Sequence, residues 1–302
     1  MRADSAHQLV DRFERLRTLL QSADIRAERN DAHQTVLVEA FIPGREYAVE
    51  AVLHNGVLQV LAVFDKPDPL DGPFFEETVY ITPSVASSSV QRDIERAIAQ
   101  ASEAIGLRHG PIHAECRVNE TGVFVLEVAA RPIGGLCARS LRFTSRPADA
   151  AASMRRRDPG SGSGCGPNVS RLPAPDPEIS LEELLLRHAV GDMPMRYTRE
   201  PAAAGVMMIP IPRRGVLKRV DGVEAAREAP GIVDLTITAK TDQMLVPLPE
   251  GASYLGFIFA RAATPAVVER SLRDAHARLT FRIDPEFPVL RTSRSRYNQT
   301  HG

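Results

Sequence analysis

Apolar residues recur with two different periods along this chain, and the switches between them divide it into elements. In residues 5–22, Leu9, Phe13, Leu16, Leu19 and Leu20 fall at three-to-four spacing, the stripe of an amphipathic helix. Residues 36–64 change to a strand pattern: VLVEAF precedes a Pro43-Gly44 turn, and EYAVEAVL and VLQVLAVF flank Asn55-Gly56. Asn-Gly between two apolar runs marks a hairpin, because its turn needs positive φ at both positions and these two residues tolerate it. A second helix is expected over 90–105, with Val90, Ile94, Ala97, Ile98, Ala101 and Ile105 inward and Gly106 as a left-handed stop. A further hairpin, PIHAECRVN–ETG–VFVLEV, follows at 111–128.

Periodicity vanishes at 144–179, a stretch rich in proline, glycine, serine and arginine. It holds too little apolar surface to offset its ordering entropy, so a flexible insertion is expected there. Ser180 and Glu183 then form a capping box, and residues 180–200 are expected to return as a helix to the first unit, 1–143. Residues 201–285 read as a small lobe of mixed helix and strand. GVMMIPI, GVLKRV, GIVDLTI and YLGFIFA alternate with short helices, and Thr264-Pro265 opens the last one. The polar residues 286–302 are expected to be a disordered tail. The fold class is α+β.

Composition narrows the function. Lysine plus arginine number 37 against 38 aspartate plus glutamate, a net charge of −1, which removes the global electrostatic case for nucleic acid or an anionic membrane. No apolar run reaches the ~18 residues of a membrane span, and the charged first residues lack the apolar stretch of a secretory signal. Cys116, Cys137 and Cys165 form no CxxC pair and leave an odd thiol, which fits a reducing cytoplasm. The expectation is a cytoplasmic protein acting on small molecules.

The candidate chemistry sits in the hairpins. With Glu120-Thr121-Gly122 as a three-residue loop, Asn119 faces Val123 and Glu115 faces Glu127, their Cβ atoms roughly 4.5–5.5 Å apart. His113, Arg117 and Val125 share that face, while Cys116, Phe124, Leu126 and Val128 read as core. Two opposed carboxylates suit Mg²⁺, which takes oxygen ligands alone; they equally suit a solvent-facing pair with Arg117 as counter-ion. Arg131 and Gly134-Gly135 follow directly and tip the balance toward a metal–phosphate site. In the first hairpin, Asp65 is expected opposite Glu46, with Lys66 beside Arg45, either as a surface ion-pair knot or as a ribose and phosphate contact set. His109, His113 and His188 have no ligand spacing, so no zinc site is expected. Arg155-Arg156-Arg157 reads as a solvated charge run.

Together VLVEAFIPGREYAVEAVL, FDKPDPLDGPFFEETVYITPS, GLRHGPIHAECRV and VFVLEVAARPIGG resemble the second half of an ATP-grasp domain. The part from GVMMIPIPRRGVLKRVDGVEAA to LPEGASYLGFIFA is similar to the small C-terminal lobe of the L-amino-acid ligase branch. The resemblance covers 1–143 and 180–283. It implies that Glu39, Ala40, Phe41 and Ile42 line an adenine pocket and that Glu46 holds the ribose hydroxyls. It further implies Glu115 and Glu127 as ligands of Mg²⁺ (or Mn²⁺), Arg131 near the transferred phosphoryl group, and Lys66 against phosphate or the acyl substrate. The implied reaction is ATP-dependent: a carboxylate is phosphorylated, and an amine, with amino acids as substrates, displaces the phosphate. A homodimer is implied by family analogy only. Ala129 stands where the family carries a metal-binding asparagine, and the family's nucleotide-like domain, phosphate lysine and glycine-rich flap would precede Met1. A non-catalytic ATP-grasp fragment and a biotin-carboxylase-like half are the alternatives.

Overall fold

The computed structural model describes residues 1–145, 178–192, 197–251 and 253–285. Helix α1 (Ala6–Leu20) starts where the Ser5 side chain accepts from Gln8 N at 3.2 Å, and α2 (Ala23–Ala27) and a 3-10 turn at Asp31–Gln34 follow. No residue of α1 is buried; Leu9 and Phe13 keep much of their surface exposed. The expected VLVEAF strand is absent. With no neighbouring strand to take its backbone bonds, 35–43 runs irregularly, and Leu37 is 78% exposed.

Strands β1 (Arg45–His54) and β2 (Val57–Asp65) join through Asn55 (φ 52°) and Gly56 (φ 85°), the two positive values that this turn demands. Then come β3 (Val79–Thr82), α3 (Ser88–Ala104), β4 (Gly110–Asn119) and β5 (Gly122–Ala129). Gly106 ends α3 with φ 81°, as its position foretold, but Ile105 faces solvent and Ser102 is buried in its stead. After a 3-10 turn at Cys137–Ser140 the chain forms β6 (Arg142–Ser145), β7 (Glu178–Ser180), α4 (Leu181–Ala189) and β8 (Tyr197–Arg199). The two ends of the expected insertion are thus paired strand; 146–177, like the tail 286–302, lies outside the described residues.

The remaining elements are β9 (Ala203–Ile209), β10 (Gly215–Asp221), α5 (Val223–Arg227), β11 (Ile232–Ile237), β12 (Met244–Leu245), β13 (Gly256–Ala262), α6 (Pro265–His276) and β14 (Thr280–Asp284). Eight antiparallel strands form one sheet in the order β11-β13-β9-β3-β2-β1-β4-β5, with three-stranded sheets β12-β10-β14 and β7-β6-β8 beside it. The C-terminal strands therefore continue the first unit's sheet through the β3–β9 pair, where Tyr80 meets Val206. One core spans this junction, packing Phe64 and Tyr80 with Val206, Met208, Phe257 and Phe259.

Alternation along β1 separates two environments. Tyr47, Val49, Ala51 and Leu53 pack with Ile94 and Ile98 of α3. Glu46 and Glu50 alternate with Ala48 and Val52 on the opposite face, which carries the site.

Candidate functional site

Two β-bulges decide which side chains meet on that face. Between β1 and β2, His54 faces Val57 as the turn requires, but a bulge at Glu50/Ala51 slips the register, and Asp65 falls opposite Tyr47 rather than Glu46. Asp65 consequently turns to the α3 side, where it accepts from Ser84 Oγ (2.6 Å) and Val85 N (2.9 Å), with Arg45 3.4 Å away. Lys66 is brought to Glu46, not Arg45, and the expected surface knot is buried.

The second hairpin closes one residue earlier than expected. Asn119 Oδ1 accepts from Thr121 N at 2.9 Å, which leaves a two-residue turn and puts Asn119 opposite Gly122 instead of Val123. A bulge at Glu115/Cys116 restores the slip, so Glu115 does face Glu127. Between turn and bulge the faces of β5 are exchanged: Val125 packs in the α3 core opposite Cys116, Phe124 lies opposite Arg117, and Leu126 is exposed.

Lys66 is the hub. Its side chain is 3% exposed, and Nζ donates to Glu46 Oε1 (2.8 Å), Glu77 Oε1 (2.5 Å) and Glu115 Oε1 (2.7 Å), using all three of its protons. The Tyr80 ring covers it at 5.0 Å, and Tyr80 Oη donates to Glu115 at 3.3 Å. Burial alone would lower the Lys66 ammonium, but Glu77, Glu115 and Glu46 raise it above its usual value. Burial would likewise raise Glu115, yet neighbouring His113 and Lys66 hold it well below the carboxylate range. Glu77, less well compensated, is raised by burial. Expected against phosphate or substrate, Lys66 is instead enclosed by carboxylates.

Arg117 straps two irregular segments onto this hub. It donates from Nε to Glu46 Oε2 (2.8 Å), from one terminal nitrogen to Ile42 O (2.7 Å) and from the other to Leu70 O (2.6 Å). Both oxygens of Glu46 are thereby engaged. Phe41 and Phe75 stack at 6.1 Å, with the Arg117 guanidinium 4.9 Å from the Phe41 ring.

Two family models match the chain. An ATP-grasp domain model matches residues 1–140, and a model of L-amino acid ligase C-terminal domain 2 matches residues 207–284. Residues 1–140 form an ATP-grasp domain. Its fold is similar to that of the L-amino acid ligase from Bacillus licheniformis, with TM-score 0.70, 22% identity, and 94% of this chain and 62% of that one covered. It is also similar to phosphoribosylglycinamide synthetase from Anaerococcus prevotii (TM-score 0.56, 13% identity, 87% and 61% covered). A third likeness is to N5-carboxyaminoimidazole ribonucleotide synthetase from Thermotoga maritima (TM-score 0.53, 15% identity, 84% and 58% covered). The chain spans about three fifths of the length of each. A search of curated protein sequences finds no significant match.

The other residues implied by the ATP-grasp resemblance are dispersed. Glu39 and Ala40 are exposed in the irregular segment, Phe41 is partly covered, and the Ile42 carbonyl is taken by Arg117. Glu127 and Arg131, half exposed, lie 3.6 Å apart at the rim. Cys116 and Cys137 are buried thiols that burial pushes up to about 12. Among the described residues no helix is long and apolar enough to cross a membrane.

Glu50, Glu77 and Tyr80 were not anticipated as part of the cluster. Glu50 had a signal, a charge in the middle of a strand whose residues 47–49 and 51–53 are all apolar. It accepts from Ile133 N at 3.1 Å and sits 2.5 Å from His113 Nδ1. Burial would lower His113, but Glu115 and Glu50 lift it to about 9 from an ordinary 6.5. A raised histidine contributes stability that is complete below pH 6.5 and lost as pH climbs through 9. Unfolding free energy should fall by about 1–3 kcal/mol across that window. Urea titrations at several pH values check it; the fall should vanish in His113→Gln, and an unchanged slope there would refute the assignment.

Proposed function

We propose that this ATP-grasp chain takes part in ATP-dependent carboxylate–amine ligation, joining small acids and amines, amino acids among them, through an acyl phosphate. The observation that carries the reading is the Glu115–Glu127 pair on the site face, with Arg131 four residues on and an L-amino acid ligase C-terminal module downstream. The donor set fits a hard divalent cation. It is all oxygen, and the bonds from Lys66 and Tyr80 land on Glu115 Oε1, leaving Oε2 for the metal. Glu115 and Glu127 would hold Mg²⁺ or Mn²⁺, with water at the position where Ala129 offers no donor. Such an ion supplies neutralisation of the charge that develops on the phosphates of ATP.

Each protein group then has a task. Glu115 is kept ionised and aimed by Lys66, which acts through it and not on substrate. The half-exposed Arg131 guanidinium would meet the transferred phosphoryl group as the substrate carboxylate oxygen attacks phosphorus and ADP departs. The amine nitrogen then attacks the acyl carbon, phosphate leaves with the bonding pair, and the nitrogen gives up its proton. Exposed Ala40 and the uncovered part of Phe41 would meet the adenine. Glu46 would reach ribose hydroxyls only by releasing Lys66 or Arg117.

A second reading, a nucleotide-binding domain without catalysis, is favoured by two specifics: Lys66 has no proton left for a phosphate, and Ala129 removes a ligand. Calorimetry with ATP and Mg²⁺, alongside phosphate release in amino-acid mixtures, separates the two. Saturable heat should be lost in the Glu115→Gln, Glu127→Gln double variant, and amino acids should stimulate phosphate release. Binding without that stimulation would support the second reading. No heat from the unmodified chain would overturn both.

A further inference from the structure

Three histidines distant in sequence converge at the other end of β1. His54 is the last residue of that strand, His109 precedes β4, and His188 lies in the last turn of α4. His54 Nδ1 is 3.3 Å from His188 Nε2, and the His109 and His188 rings stack with centroids 4.2 Å apart. One ring nitrogen from each falls within 4.8 Å of the other two. His188 is buried, whereas His54 and His109 are open to solvent. His54 and Glu46 occupy opposite ends of β1, on the order of 25 Å apart at ~3.3 Å per residue, so this group is separate from the carboxylate site.

We propose that His54, His109 and His188 form a three-imidazole site for a divalent transition metal, zinc by its ligand preference, with a fourth position open to water. Two nitrogens on a tetrahedral zinc, each at ~2.0–2.1 Å from the ion, lie about 3.3–3.4 Å apart, and the His54–His188 separation already matches. His109 needs to leave its stack, and its exposure gives it room. The competing explanation is a hydrogen bond and a ring stack among neutral imidazoles. That arrangement does not require a ring nitrogen of all three to converge, as they do here; a metal does. Burial and the two neighbouring rings also lower His188, keeping it in the neutral form that binds metals. The ion would clamp α4 to the β1–β2 turn and the start of β4. Imidazole ligation favours zinc, copper, nickel and cobalt over magnesium.

The test uses the full chain without an affinity tag, stripped by chelator and titrated with Co²⁺, whose visible absorption reports tetrahedral imidazole coordination. Absorption should saturate at one equivalent and be displaced by Zn²⁺, and Zn²⁺ should raise the melting temperature. His54→Gln and His109→Gln change exposed side chains and should preserve the circular dichroism spectrum. Each should lose both the absorption and the thermal shift, while Glu115→Gln, Glu127→Gln should keep them. No saturable absorption, or absorption unchanged in the two histidine variants, would overturn the site and leave a stack of imidazoles.

Discussion

Replacing Lys66 with methionine should cost about 3–5 kcal/mol of folding stability at neutral pH, the usual penalty for removing one partner from a buried ion pair. The penalty comes less from lost attraction than from what is left behind. Oxygens of Glu46, Glu77 and Glu115 lie within 4.8 Å of one another around the ammonium, and without it only Arg117 still serves Glu46. Like charges so close cannot all stay ionised in a partly buried setting. The pKa values of Glu77 and Glu115 in the folded variant should rise above the unfolded ones, so the variant should regain stability relative to the unmodified protein as pH falls from 7.5 toward 5.5. Urea denaturation at both values measures this. A loss under about 1 kcal/mol, or one independent of pH, would mean that water reaches the cluster and that Lys66 is not its hub. The Lys66→Met, Glu77→Gln double variant should be more stable than Lys66→Met alone, since one carboxylate of three is neutralised.

Phe64→Ala should be comparably damaging, about 3–5 kcal/mol, for a different reason. Phe64 is fully buried on β2, two residues before Lys66, and its ring meets that of Tyr80 at 5.9 Å, nearly edge-on. The truncation would open a cavity in the core that joins the first unit to the C-terminal strands, and packed neighbours relax into such a space only partly. It would also loosen the ring that covers Lys66. Val57→Ala on the same strand, 71% exposed, is the control and should change stability by less than about 0.5 kcal/mol. Equal effects in the two variants would show that the shared core does not govern unfolding.

Much of this fold could be read from local pattern. The Asn55-Gly56 turn, the Gly106 stop, the Ser180 cap and the Thr264-Pro265 start all stand where the sequence puts them, because each depends on the conformational preference of one or two residues. The four strands expected in the C-terminal lobe lie within a few residues of their expected ranges for the same reason. VLVEAF failed because an apolar run becomes a strand only beside a partner, and its neighbours are decided elsewhere in the chain.

The composition of the candidate site was less legible than its location. Residue types and motif order were enough to bring Glu46, Lys66, Glu115 and Glu127 forward and to mark the ATP-grasp resemblance. Which of them touch was a tertiary matter. The bulges at Glu50/Ala51 and Glu115/Cys116 each move one strand by a residue, and a one-residue slip turns side chains to the opposite face. One slip carried Asp65 away and delivered Lys66 to Glu46; the other kept Glu115 opposite Glu127 despite a shorter turn. Glu77 arrives from an irregular loop, and His54, His109 and His188 come from three elements. No spacing rule reaches such groups, since packing of the whole sheet and its helices sets their distances. Sequence alone determined the Asn55-Gly56 turn, the caps, most strands of the main sheet and the family resemblance. Tertiary structure alone decided the contacts, because register and burial are properties of the assembled sheet, not of any one segment.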